Sequence, residues 1–300
     1  MRFLLFITLI LLNFHAHAAI SNWVQFSQES GHIKIPVIVE GIETQAILDT
    51  GAQIHGINSA FILKNKLNLV AAGKTRVKGV YGIEDKKTYN KVNVSLFGFD
   101  TQIDGLVAAQ LGFHTNGLLL GAGFFDKFIV QLDYPNSRMR LITRDSLDLG
   151  NVENIEMRAQ RGTGRPIVKV ALGADRSAWL LLDTGSSGGI MIKRSVATSL
   201  GWLDNKDIST NLSRGVNTFA TTQSVRIDEL AFGPYTLENV LVSVPGEGQS
   251  ANLENQFSTT GTRIKSAKVE GILGYDILKH FVVTIDYKLG HAHVGLPEES

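Results

Sequence analysis

Apolar and polar residues alternate along Ile33-Lys34-Ile35-Pro36-Val37-Ile38-Val39, pause at Gly41, and resume as a run from Gln45 to Leu48. The same succession returns later in the chain. Pro166-Ile167-Val168-Lys169-Val170-Ala171-Leu172 reaches a turn near Gly173, and a second run follows from Ala178 to Leu182. Short period-two segments bounded by glycine predict β-strands joined by tight turns. Val92 to Phe97 before Gly98, and Val225 to Phe232 before Gly233, alternate in the same way and predict hairpin strands. Helical spacing of apolar residues appears at Ser59 to Leu67 and at Lys193 to Leu200, which predicts two short helices. The pattern is that of an all-β chain.

Both second runs end in the same three residues. Ala46-Ile47-Leu48-Asp49-Thr50-Gly51 recurs as Leu180-Leu181-Leu182-Asp183-Thr184-Gly185. Further on, Leu119-Leu120-Gly121 leads to Phe128 and then Asp133-Tyr134, while Ile272-Leu273-Gly274 leads to Phe281 and Asp286-Tyr287 at the same spacing. Gly79-Val80 and Gly215-Val216 correspond between these blocks. Such repetition reads as one unit built twice. The largest departure is an insertion in the second copy, within residues 243–268.

On these residues the chain resembles the aspartic protease family, in its retropepsin-like branch, whose pattern is two apolar residues, Asp-Thr-Gly-Ala/Ser, and later two apolar residues and Gly. The resemblance covers nearly all of the chain after its first twenty residues. It implies two acid-protease lobes in tandem with a cleft between them: residues 19–145, a polar connector at 146–160, and residues 161–300. It implies Asp49 and Asp183 as the catalytic pair, one from each lobe of a single chain. Thr50 and Thr184 would hydrogen-bond across to the opposite loop, with Gly51, Ala52, Gly185 and Ser186 completing the two loops. Gly79-Val80-Tyr81-Gly82 falls where the family carries a flap, so Tyr81 is a candidate cover for the cleft; an exposed turn tyrosine without a role is the competing reading.

Two carboxylates a few ångströms apart cannot both ionise cheaply, so one holds a proton over a range of pH. The ionised partner takes a proton from a water that attacks a peptide carbonyl, and the protonated one donates to the developing oxyanion. This chemistry requires no metal, no cofactor and no covalent intermediate. The expected activity is that of an aspartic endopeptidase acting on a peptide or protein. Ser186 stands where the first loop has Ala52, and a hydroxyl bonded to a carboxylate favours its charged form. Asp183 is therefore expected to be the more acidic partner, with Asp49 carrying the proton.

Other readings stay open. A fold does not fix its function, so a non-catalytic peptide-binding or scaffold protein that kept the cleft is the alternative. A two-carboxylate glycosidase asks for a separation that symmetric turn loops do not suggest. His291 and His293 alternate on a final strand, but a solvated strand face is favoured over a metal pair. His55 near the first triplet reads as packing, and Asp133 and Asp286 as hairpin-fixing residues. Gly162-Thr163-Gly164-Arg165 lacks the length and the lysine of a phosphate loop. No Gly-x-Ser-x-Gly or His-Glu-x-x-His occurs, against serine hydrolases and zinc proteases. The polar insertion at 243–268 reads as a surface loop in preference to a gate.

Composition changes the picture in two places. Net charge is +1 with no basic run, which argues against a nucleic-acid partner. Met1-Arg2, the apolar Phe3 to Leu12 and Ala16-His17-Ala18 together read as a signal peptide spanning 1–18. The apolar run is short for a bilayer, so no stable membrane insertion is expected. An exported chain with no cysteine at all fits a bacterial periplasm, with full secretion second. The tandem layout predicts a monomer with an intramolecular pair of aspartates.

Overall fold

The computed structural model describes residues 19–160, 163–173, 176–204, 207–253 and 267–298. The expected signal segment and its cleavage site, as well as residues 254–266 of the insertion, lie outside the described residues. Among those described, no helix is long and apolar enough to cross a membrane.

The fold is nearly all β. Residues up to Leu120 build a nine-stranded sheet, and residues from Met157 to Leu273 build an eight-stranded one. The alternation in Lys34–Val39 sets its two faces. Ile35, Val37 and Val39 are buried while Pro36 and Ile38 face out. In the second half, Val168 and Val170 go inward around exposed Lys169. Each fully buried Val, Leu or Ile contributes roughly 1.5–3 kcal/mol relative to exposure, so a one-residue slip would forfeit the face. The second sheet curls far enough for Ala171 to pair with Ala231.

Both halves use one unusual arrangement. Asn116–Leu120 lies parallel to Ile42–Leu48 and antiparallel to Gly56–Asn58. Val269–Leu273 is likewise parallel to Ser177–Leu182 and antiparallel to Ile190–Ile192. The chain leaving each Asp-bearing strand must therefore loop over the end of the inserted strand before returning. A helix follows each loop: Ser59–Asn65, capped by the Asn58 side chain accepting from Ala60 N–H, and Arg194–Ser199. Both are two residues shorter than the apolar spacing predicted.

The halves meet in a separate five-stranded sheet. Its order is Val24–Gln25, Arg138–Ile142, Ile129–Asp133, Val282–Asp286, His291–Gly295. Ile129–Asp133 of the first half pairs antiparallel with the equivalent Val282–Asp286 of the second. Ile129 faces Asp286 and Asp133 faces Val282, so the register is unchanged when the copies are exchanged. The exchange axis passes between Gln131 and Thr284, whose side chains are bonded at 2.8 Å. Asp133 and Asp286 both accept a backbone N–H three residues on, from Asn136 and Leu289. Each is also paired with an arginine, Arg138 at 2.7 Å and Arg144 at 2.8 Å.

Candidate active site

Each Asp-Thr-Gly loop starts where its strand runs out. The Asp49 N–H donates to the Leu120 carbonyl and the Asp183 N–H to the Leu273 carbonyl, both at 3.0 Å. The next residue of each supporting strand is glycine for a steric reason. A Cβ at Gly121 would lie 2.6 Å from the Ala52 and Ile54 carbonyl oxygens, and one at Gly274 would lie 2.7 Å from those of Ser186 and Gly188. The loops return close enough for Ala122 N–H to reach Ala52 and Tyr275 N–H to reach Ser186, both at 2.9 Å. His55 braces the first loop, its Nδ1 accepting the Gly121 N–H at 3.2 Å.

The two loops face one another and are locked by their threonines. Thr50 Oγ1 donates to the Leu182 carbonyl at 2.6 Å, and Thr184 Oγ1 to the Leu48 carbonyl at 2.8 Å. Both threonines are buried. Gly51 and Gly185 are what let the loops approach. A Cβ on Gly51 would meet Asp183 Cγ at 2.5 Å, and one on Gly185 would sit closer still to Asp49 Cγ.

Asp49 and Asp183 are thereby brought into side-chain hydrogen-bonding contact. Burial holds both carboxyls above the ordinary carboxylate range. Asp49 is pushed well up, first by burial and then by the charge of Asp183. Asp183 is raised too. Against burial stand the hydrogen bond from Asp49, the Gly185 N–H at 2.9 Å and the Arg165 guanidinium. The aid expected from the Ser186 hydroxyl takes another form. The Ser186 hydroxyl lies against Gly274, and Ser186 supports Asp183 with its backbone N–H. Near the pair, Tyr134 and Tyr287 have hydroxyls pushed up by burial, so they stay neutral.

Two basic residues beside the loops escaped the sequence reading. Lys34 pairs with Ile47 and Ile167 with Leu181, which makes His32 and Arg165 equivalent members of the repeat. Each approaches the opposite half's loop. The His32 ring lies against the Gly185 backbone with its Nδ1 buried and unpartnered, and its pKa is lowered by burial and by Lys34. The Arg165 charge lies near Asp183, Tyr287 and Asp49. The signal was a basic residue ahead of the first strand in both copies.

Two hairpin tips meet one another. Gly79 N–H donates to Gly82 and Gly215 N–H to Thr218, closing equivalent turns. The tips touch, since Asn217 Nδ2 donates to the Val77 and Gly82 carbonyls at 2.9 and 3.1 Å. Tyr81 is 5% exposed, with its hydroxyl 3.2 Å from Met191 Sδ, so the exposed-turn reading fails. Val80 packs on a cluster from the second half that includes Ile167, Leu181, Leu253 and Ile272. Within the described part of the insertion, Asn252 comes against this tip. Asn252 N–H donates to the Val80 carbonyl at 2.8 Å and its side chain to Gly79 at 3.2 Å. Away from the cleft, His291 Nδ1 meets Glu153 at 2.6 Å, and no third metal-ligating side chain joins it and His293 among the described residues.

A family model described as aspartyl protease matches residues 168–277. The match supports an aspartic protease family. It spans the second half from its first strand to its last short helix, with Asp183-Thr184-Gly185 and Ile272-Leu273-Gly274 inside it. No curated protein matches the chain.

Proposed function

We propose that the chain is an aspartic endopeptidase that hydrolyses peptide bonds with a water activated between Asp49 and Asp183. The observation that carries this reading is the contact of two carboxyls taken out of water, on loops locked by Thr50 and Thr184. Asp183, beside the Arg165 charge, is the base that takes a proton from the water. Asp49 is the acid that donates to the carbonyl oxygen as it becomes an oxyanion. The protons held by the pair later pass to the departing amine. A binding protein gains nothing from two carboxyls forced together at this cost.

The substrate is an extended peptide that enters beneath the two hairpin tips, with Tyr81 as part of the cover. Flanking strands offer it main-chain hydrogen bonds. Export to the periplasm is part of the proposal and rests on the first eighteen residues; cell fractionation tests it. So is a monomer with an internal pair, for which specific activity stays constant on dilution.

The deciding experiment is incubation with a diverse peptide library from about pH 3 to about pH 8. Wild type is expected to cut, and Asp49→Ala and Asp183→Ala are expected not to. Cutting that survives either replacement overturns the assigned roles. No cutting by any form, with retained peptide binding, favours a non-catalytic binder.

A further inference from the structure

We propose that Gln160 and Arg165 are positioning residues that couple closure of the first hairpin tip to the charge at Asp183. The inference rests on the dyad reading above. It follows from a line of contacts that runs from the first hairpin tip through Asn252, Leu253 and Gln160 to the Arg165 guanidinium, whose charge acts on Asp183 across space.

The line begins at Asn252, which holds the carbonyls of Gly79 and Val80. The next residue, Leu253, accepts from Gln160 Nε2 at 3.0 Å. Gln160 Oε1 in turn accepts from Arg165 Nε at 2.9 Å and from Thr163 Oγ1 at 2.6 Å. Gln160 is 5% exposed, so water cannot readily replace these partners. The backbone around Arg165 is pinned as well. Gln160 N–H donates to the Arg165 carbonyl at 2.7 Å, and Gln53 from the first Asp loop donates to the Thr163 carbonyl at 2.9 Å. What remains adjustable is the guanidinium, and Gln160 fixes it.

The charged and titratable groups facing Asp183 are few. Asp49 is its partner, Tyr134 and Tyr287 lie near it, and His32 lies against the Gly185 backbone. Of these neighbours Arg165 supplies the fixed positive charge. When the tip lifts to admit a peptide, Asn252 and Leu253 are drawn away from Gln160, and the guanidinium loses its holder. Closure restores it. The dyad thus reaches its working charge state only with the tip closed, which keeps an open cleft from holding an ionised, solvated pair.

The test follows the dyad by carboxyl-carbon NMR titration and by the pH profile of peptide cleavage. The proteins are wild type, Arg165→Met, Arg165→Lys, Gln160→Met and Asn252→Ala. Arg165→Met is expected to raise the Asp183 titration midpoint and the acidic limb of kcat/KM by about one pH unit or more. Arg165→Lys returns most of that shift. Gln160→Met and Asn252→Ala move the midpoint in the same direction by less, and neither adds to Arg165→Met in the double variants. A midpoint that stays put in Arg165→Met overturns the proposal. So does a midpoint that moves in Arg165→Met but in neither Gln160→Met nor Asn252→Ala, since the tip is then uncoupled. The NMR arm reads the coupling even in a chain that cuts nothing. Shifted midpoints without cleavage in wild type therefore uphold the coupling while sinking the endopeptidase reading.

Discussion

Thr50 and Thr184 each accept the other's backbone N–H at 3.0 Å, so neither Asp-bearing loop has its full set of hydrogen bonds without its counterpart. Each hydroxyl also donates to the carbonyl ahead of the opposite aspartate. Thr50→Ala or Thr184→Ala strands a buried N–H and a buried carbonyl at once. An unsatisfied buried group costs roughly 1–3 kcal/mol. Denaturant unfolding should show a loss of at least about 2 kcal/mol for either alanine variant. Serine keeps the hydroxyl and should recover most of it.

Gly51 and Gly185 abut the opposite carboxylates. Gly185→Ala inserts a methyl where the Asp49 carboxyl now stands, and Gly51→Ala does the same toward Asp183. The carboxyls must separate, and with them goes the shared proton. Cleavage by either variant is expected to fall by about a hundredfold or more, on the scale of lost general acid–base catalysis. A crystal structure of the variant should show the loops spread apart.

The raised pKa of Asp49 has a consequence for stability. An acid whose folded pKa stands above its unfolded value binds more protons in the folded state between the two values. Its favourable contribution is present below the unfolded value, near the ordinary 3.8, and is lost as pH rises through the raised one. Asp49→Asn carries no such burden. It should be more stable than wild type at neutral pH, with the difference closing as pH falls below about 4. Thermal unfolding across pH measures this directly, and a gap that widens on acidification would sink it.

Arg144 clamps Asp286 with both Nε and Nη2 and also donates to the carbonyls of Asp126 and Lys127. Asp286 is almost fully buried, so Arg144→Ala leaves it uncompensated at a cost of about 3 kcal/mol or more. Arg138, the counterpart on Asp133, is more exposed and binds through Nε alone. Its removal should cost less, and urea unfolding of the two variants ranks them.

Much of this arrangement was legible because it is carried by neighbours in sequence. Alternation in Lys34–Val39 and Pro166–Ala171 gave the strands their faces, and the repeated Asp-Thr-Gly marked the strand ends. The matching Gly121 and Gly274 pointed to the supporting strands, though not to the carbonyl oxygens that exclude a side chain there. What escaped notice depends on distant contacts. Arg165 closes a short glycine-containing loop, and nothing local places it near Asp183. Gln160 looked like part of a polar connector, yet it is buried by Leu253, more than ninety residues away. Tyr81 sits between glycines, as an exposed turn residue would. Only the contact with Met191, across the sequence, takes it inside.

The pairing of Ile129–Asp133 with Val282–Asp286 decides what either half could do alone. Cut apart, each would present a bare strand edge whose best complement is the matching edge of the other. Held in one chain, the two edges meet at an effective concentration that free fragments would not reach, so closing this sheet is a local event and the facing of the two Asp-bearing loops comes with it.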